Sequence, residues 1–530
     1  MRSIPALRWL MTGALIVIII QCSNPLRSNP EQDDVSLAKA LLAEGDSIET
    51  MIGSSYRTFW LATENWYGIL GLTTLADELT SSWGNAAMKD LSSEPRVAYN
   101  NSAGYFYSDH VEIPWNGAYA AIYAATGGLE AIAGGIQIGT DGVDTQRAKA
   151  FAYFVRGIAF GYLACMFDQA VILTSTQDLE AAQLAAVYSP YLEVMNQAIS
   201  DLNQATTISA ASIFTTDAGW IGGVLLSNFQ LDRLAHAYIA RFMPAVARSQ
   251  AERAAVDWAG VKNHIGQGIL DGEDFAPVGD NYVAWYSDAR WVAGNSIWTR
   301  ADYKTIGITD TSTGFQNWLA TPVQDRVEFD LYTSDRRITG ATHAPDSAGL
   351  YFKNVGASLF RVSRGTYHFS LYRTSKWDAY NATESEPMTT LSFVEMRLLL
   401  AEAEYRLGYL AASAAIVNET RVANGQLPAL TGSETDFFDW LTYEKSIETY
   451  ATASGLAYFD RRGWLAHTII CQYDSSGQTT GLVTDSPLHF PIPGRDSQFL
   501  FTLPYTFGGG GPGSAPKSMA GNRRALGPKY

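Results

Sequence analysis

Two adjoining stretches, SFVEMRLLLAEAEYRLG (392–408) and YLAASAAIVNETRVANG (409–425), constrain the fold more than any other part of the chain. In the first, Phe393, Met396, Leu399 or Leu400, Ala403 and Leu407 recur at three- and four-residue spacing, which lines one face of an α-helix. Glu402, Glu404 and Arg406 fall outside that face. Ser392 and Glu395 have the spacing of a capping box, and Gly408 is a natural stop. The second stretch is amphipathic in the same way and follows at once, so the pair predicts a helical hairpin.

The same spacing recurs at 35–75, 113–135, 145–165, 189–206, 228–247, 250–268 and 438–454. In SPYLEVMNQAISDLNQA, Ser189 opens a helix and Pro190 takes its first position. Recurring hairpins suggest a mostly α fold of tetratricopeptide-like type. Between about 270 and 390 the texture changes: Gly, Asn, Asp, Ser and Thr alternate with Trp and Tyr, and short β-like runs such as LYFKNV and YHFSLYR appear. The expected organisation is an N-terminal helical part (35–270), a loop-rich, partly β central segment (271–390), and a C-terminal helical part with a non-helical tail (391–530), all of one domain.

The N-terminus sets the compartment. Arg2 and Arg8 precede an apolar run, Trp9–Ile20, whose 12 residues would cover only about 18 Å as a helix, too short for a bilayer that needs about 20. Positive flank and apolar run match a secretion signal. Cys22 and the polar SNPLRSNPEQDD follow, the pattern of a bacterial lipoprotein, although Gln21 stands where a small residue is usual. Residues 1–21 therefore read as a removed signal, Cys22 as a lipidated terminus and 22–34 as a tether; an ordinary signal with a chance cysteine is the alternative. Several acyl chains, at about 0.8 kcal/mol per buried CH₂, hold a protein firmly on a membrane.

A net charge of −16 excludes a nucleic-acid binder, which needs clustered Lys and Arg. Three cysteines are no disulfide scaffold; Cys165 and Cys471 either pair or are simply buried. Aromatic residues make 12% of the chain, and several stand in polar loops: SSWGN (81–85), AYNNSAGYFYSDH (98–110) and NYVAWYSDARWVAGNSIW (281–298). Exposed rings in such loops are what a sugar ring stacks upon. The candidate ligand-binding residues are Trp83, Asn100, Asn101 and Tyr105, then Trp285, Tyr286, Trp291 and Trp298, with Asp288 and Arg290 as polar neighbours. A helical glycoside hydrolase would also be aromatic-rich, with two carboxylates about 5–9.5 Å apart. The acids near these loops, Asp77, Glu78, Asp109, Asp271, Glu273 and Asp274, read better as solvated or capping groups. There is no HExxH and no GxSxG, DGED does not fit a calcium loop, and the glycine run 508–513 lacks the Lys-Ser/Thr of a phosphate loop. No metal or cofactor is expected.

Several motifs together resemble the SusD/RagB family of outer-membrane nutrient-binding lipoproteins. WNGAYAAIYAATGGLE carries Trp115, Tyr119 and Ile122 at the family spacing, with Thr126 near the position of its usual Asn. RAKAFAYFVRGIAFGYLACMFDQAVIL (147–173) is similar to the family's next helix, and Asp201, Leu202 and Ala205 match the one after. Glu402, Ala403, Asn418 and Arg421 stand in its C-terminal hairpin, while YFDRRGW and HFPIPGRD resemble its last turns. The resemblance implies a helical fold with four tetratricopeptide-like hairpins and ligand-binding loops on one side. It further implies a non-enzymatic lipoprotein on the exterior of the outer membrane. Such a protein docks on a SusC-like TonB-dependent transporter and delivers an oligosaccharide or a peptide to it.

Overall fold

The computed structural model describes residues 44–499 apart from 82–86, 177–187, 270–271, 341–346, 358–369, 454, 468–471 and 474–478. Cys22, the signal and tether, Trp83, Asp271, Cys471 and the glycine run therefore lie outside the described residues. Helices dominate. The N-terminal part comprises α1 (Gly45–Glu64), α2 (Trp66–Leu75), α3 (Asp109–Ala133), α4 (Thr145–Met166), α5 (Tyr191–Ala211), α6 (Asn228–Ala245) and α7 (Trp258–Gln267). The C-terminal part comprises α9 (Phe393–Arg406), α10 (Leu410–Arg421), α11 (Phe437–Glu448) and α12 (Leu456–Gly463). Among the described residues, no helix is long and apolar enough to cross a membrane.

Between these parts stand the short α8 (Asp288–Gly294) and two small antiparallel ladders. β1 (Leu79–Ser81) pairs with β2 (Thr299–Ala301), and β3 (Phe352–Asn354) pairs with β4 (Tyr372–Thr374). The second ladder is built from the two β-like runs seen in the sequence. One buried apolar cluster extends from Ile48 to Ile492 and includes residues of all three parts.

Two long periodic stretches break where a cap intervenes. The 35–75 pattern ends its first helix at Asn65, whose ψ of 157° leaves the helical region. The 250–268 pattern restarts at Asp257, whose carboxylate accepts from Gly260 N at 2.9 Å. Apolar spacing runs through both breaks, so periodicity alone hides them. Ser189–Pro190 forms a two-residue strand with Gln169–Ala170 instead of opening α5, which starts at Tyr191. Ser392 does cap α9, accepting from Glu395 N at 3.0 Å, and Gly408 ends it at φ +85°. The α4–α5 pair is close-packed because Gly157 lacks a Cβ; one there would sit 2.8 Å from Leu202 Cγ.

Buried ion pairs, rather than solvated charges, join the helices. Arg156 donates to both carboxylate oxygens of Asp201 (2.8 and 2.7 Å), locking α4 to α5. Glu402 corrects the sequence expectation: it is wholly buried and accepts from Arg253 at 3.0 and 2.6 Å, while Arg253 also donates to Asp460. Glu404 is buried too. Despite burial, the neighbouring Arg253 holds the Glu402 carboxyl down at about 2. The motif residues Asn418 and Arg421 close the α10 turn, bonding the backbone of Leu430 and Pro428.

Glu78 behaves oppositely. Burial lifts its carboxyl to about 7, opposed by the Ala451 backbone N–H, which donates to it at 2.7 Å. The folded state therefore holds a proton that the unfolded chain loses near pH 4.5. Stability conferred by that proton is complete below pH 4.5 and is lost as pH rises through 7, on the order of 3 kcal/mol in total. Glu78→Gln keeps the acceptor without the charge. Thermal melts from pH 4.5 to 7.5 should show the decline flattened in the variant; an unchanged slope would place the titration elsewhere.

Candidate functional site

The loop 280–287 is shaped by Asp280. Its carboxylate accepts from the backbone N–H groups of Val283, Ala284 and Trp285 at 2.8–3.0 Å, and Asn281 N donates to Glu384 O. Asn281 and Tyr282 take φ of +60° and +59°, a left-handed turn that throws Tyr282 outward. Tyr282 stacks on Tyr286 with centroids 4.7 Å apart and planes at 21°, and Val283 beside them is exposed. Burial, with Tyr380 and Asp288 adding to it, pushes the Tyr282 phenol well above the ordinary range; burial first, then Asp288, raises Tyr286 as well. Both hydroxyls stay neutral, and that of Tyr282 donates to Asp288.

The intervening Trp285 faces the other way and corrects the expectation of a ligand-facing ring. It is 6% exposed, stacked on Tyr56 at 6.1 Å and tilted against Trp60 at the same distance. Arg290 is likewise internal: it pairs with Glu64 and donates to Thr389 O and Thr452 O at 2.7 and 2.8 Å, while Ser287 caps α8 and donates to Glu64. Asp288 is buried. These contacts fasten α8, from which Trp291 projects half-buried against Trp298, edge to face at 5.9 Å, with exposed Ile297 alongside. Two partly exposed aromatic pairs thus stand on a braced segment.

The stretch 81–107 divides. Its start is drawn to the aromatic segment, because Ser81 pairs with Thr299, next to Trp298. Its end is drawn to the chain's last described turns. Asn101 corrects the expectation of a free amide: it is buried, donates to Ile492 O at 2.8 Å and accepts from Gly494 N at 2.9 Å, so it clamps the Pro-Ile-Pro segment. Asn100 is exposed, its carbonyl accepting from Ser102 N in a local turn. Tyr105 is half-buried and donates to Asp90 at 2.6 Å. Sequence reasoning passed over Tyr282 and Phe106, the latter exposed and edge-on to Tyr107 at 4.9 Å. The carboxylate pattern of Asp280 two residues before Tyr282 was the available signal for the first.

Of the acids weighed for hydrolysis, Asp77 is buried and paired with Arg96 and Lys304, Glu78 is buried, and Asp274 accepts from Phe393 N. Among the described residues no group of three or more His, Cys, Asp or Glu is placed to hold a metal. His236 and His264 meet Nδ1 to Nδ1 at 2.9 Å with ring centres 5.1 Å apart, so the nitrogens face each other along a hydrogen bond instead of converging on a third point.

No protein-family model and no curated protein matches the chain. Solved structures do. A SusD superfamily protein from Parabacteroides distasonis superposes with a TM-score of 0.59 at 15% identity, covering 87% of this chain and 98% of that one. A SusD-like carbohydrate binding protein from Bacteroides fragilis gives 0.57 at 13%, covering 87% and 99%. Surface glycan-binding protein A from Bacteroides uniformis gives 0.56 at 12%, covering 86% and 97%. The chain has the SusD-like fold.

Proposed function

We propose that this chain is a nutrient-binding protein of the cell surface that captures an oligosaccharide and passes it to a SusC-like TonB-dependent transporter in the outer membrane. The observation that carries the reading is the braced segment 280–298, with the Tyr282–Tyr286 and Trp291–Trp298 pairs partly open to solvent. Ring faces beside the neutral Tyr286 hydroxyl suit a sugar, whose C–H face stacks while its hydroxyls bond. Two of the similar structures are of proteins named for binding carbohydrate or glycan, which supports the same ligand class. The family likeness supports a binding role, not an enzymatic one, and Asp77, buried and paired, with Glu78, buried, makes a poor hydrolytic dyad.

Calorimetry against a panel of oligosaccharides and peptides tests the ligand class. Micromolar binding of a glycan, about 8 kcal/mol, is the expected result, and binding of peptides alone overturns it. The anchor is tested separately. Cys22→Ala should release the protein from the membrane fraction and abolish incorporation of labelled fatty acid; wild-type protein free of lipid would refute anchoring. For the partner, mild-detergent pull-downs should return a TonB-dependent transporter larger than this chain, and recovery of the protein alone counts against delivery.

A further inference from the structure

One end of the N-terminal helical bundle carries apolar side chains in an arrangement that the aromatic site does not use. Residues 213–217 and 225–229 form a short antiparallel ribbon between α5 and α6: Thr215 and Ser227 bridge, Thr216 N donates to Leu226 O at 2.8 Å, and Asn228 N donates to Phe214 O at 3.0 Å. In a ribbon of that register, odd-numbered residues share one face and even-numbered ones the other. The inner face is Thr216, Leu226 and Asn228, all buried. The outer face presents Ile213 and Leu225, which are 98% and 56% exposed, and Phe229 in the first turn of α6, where this strand ends, is 69% exposed. The same face also carries Thr215, Asp217 and Ser227, so these three exposed apolar side chains stand among polar ones.

The ribbon lies beside the start of α1. Arg147 donates to Thr215 O at 3.4 Å and pairs with Glu49 in the second turn of α1, and its guanidinium lies 5.3 Å from the Trp220 ring, which packs against Gly53. The chain reaches α1 at Glu44, and the tether 22–34 and residues 35–43 lie between Cys22 and that point. These roughly 20 residues reach at most about 70 Å fully drawn out. An anchored chain of that length keeps this end of the bundle at the bilayer at high effective concentration.

We propose that the outer face of the ribbon, Ile213, Leu225 and Phe229, inserts into the headgroup–acyl boundary of the membrane that holds the anchor, and so sets the body's orientation on the surface. The proposal rests on the reading of Cys22 as lipidated. Three protruding apolar side chains on a narrow ribbon fit a lipid surface, into which such side chains sink without needing a complementary groove. Asp217 on the same face carries a negative charge, while Glu49 is paired with Arg147, so zwitterionic headgroups suit this face better than anionic ones.

The test uses the full lipidated protein in phosphatidylcholine vesicles, with Cys471→Ser and an environment-sensitive dye on Ile213→Cys or, as control, Val327→Cys; Cys165 is buried and does not compete. Lipid-borne quencher should dim the dye at 213 at least about twofold and leave 327 unchanged. Adding Leu225→Ser and Phe229→Ser should return the 213 dye to its aqueous spectrum without altering the melt. Lipidated protein with both dyes equally unquenched overturns the proposal alone. Shielding of 213 that appears only when the transporter is added also overturns it, in favour of a protein contact. Mass spectrometry of the N-terminal peptide from the same sample reads the anchor independently, so a peptide without lipid removes the premise by a separate route.

Discussion

Arg337→Met is expected to destabilise the protein by about 3–5 kcal/mol, the cost of stripping the partner from a buried charge cluster. Arg337 is wholly buried and, among the described residues, is the only cation donating to three carboxylates at once: Asp335 at 2.7 Å, Glu444 at 2.5 Å and Glu448 at 2.9 Å. The carboxylates have further donors, Tyr443 to Asp335, Thr420 to Glu444, and Tyr351 and Asn424 to Glu448. Neutral hydroxyls and amides orient these acids but do not balance three negative charges in a dry site. The cluster also joins the central segment to α10 and α11, so its loss uncouples two parts of the chain. Denaturant midpoints at pH 7 should fall accordingly. Burial already raises Glu444, and without Arg337 its carboxyl would be raised further. The variant's deficit should therefore shrink as pH falls towards the ordinary carboxylate range, where Glu444 protonates in both states. Arg337→Met combined with Glu444→Gln should recover part of the loss. A loss below about 1 kcal/mol would mean the cluster is hydrated and screened, as surface pairs are.

That cluster marks where sequence reading stops. The α9–α10 hairpin is legible because caps, apolar spacing and a stop glycine are all local, and the ladder of β3 and β4 follows from two short β-like runs. The burial of Glu402 is not local: its partner Arg253 lies 149 positions earlier. An amphipathic reading counts every glutamate as solvated, so a buried ion pair inverts it. Breaks at Asn65 and Asp257 are hidden for a related reason, since both flanking helices keep their apolar faces to the same core. Loops fare worse, because they have no period. Trp285 and Tyr286 are consecutive, yet one packs on Tyr56 and the other faces out. That division is decided by the Asp280 turn and by the Trp60 indole, which donates to Tyr286 O at 3.0 Å. Asn101 and Asn100 divide in the same way, one clamping Gly494 and Ile492, the other exposed and accepting from Ser102 N in its own turn.

The same division sorts the ring variants. Trp291→Ala and Trp298→Ala should each weaken glycan binding about tenfold or more, since each stacking ring contributes on the order of 1 kcal/mol beyond area burial. The double variant should abolish detectable binding, because a micromolar ligand has about 8 kcal/mol in all and the paired rings orient each other at 5.9 Å. Tyr282→Ala should act similarly, whereas Tyr282→Phe keeps the face that stacks on Tyr286 and should retain most of the affinity. Trp285→Ala is the contrasting case: it opens a cavity between Tyr56 and Trp60 and should cost about 3–5 kcal/mol of stability. Whatever affinity it loses should be recovered by osmolyte, which restores the fold but cannot restore a missing stacking face. Calorimetry paired with thermal melts on all six variants separates the two behaviours. Unchanged affinity in Trp291→Ala, Trp298→Ala and Tyr282→Ala, with normal melts, would move the site off the 280–298 segment altogether.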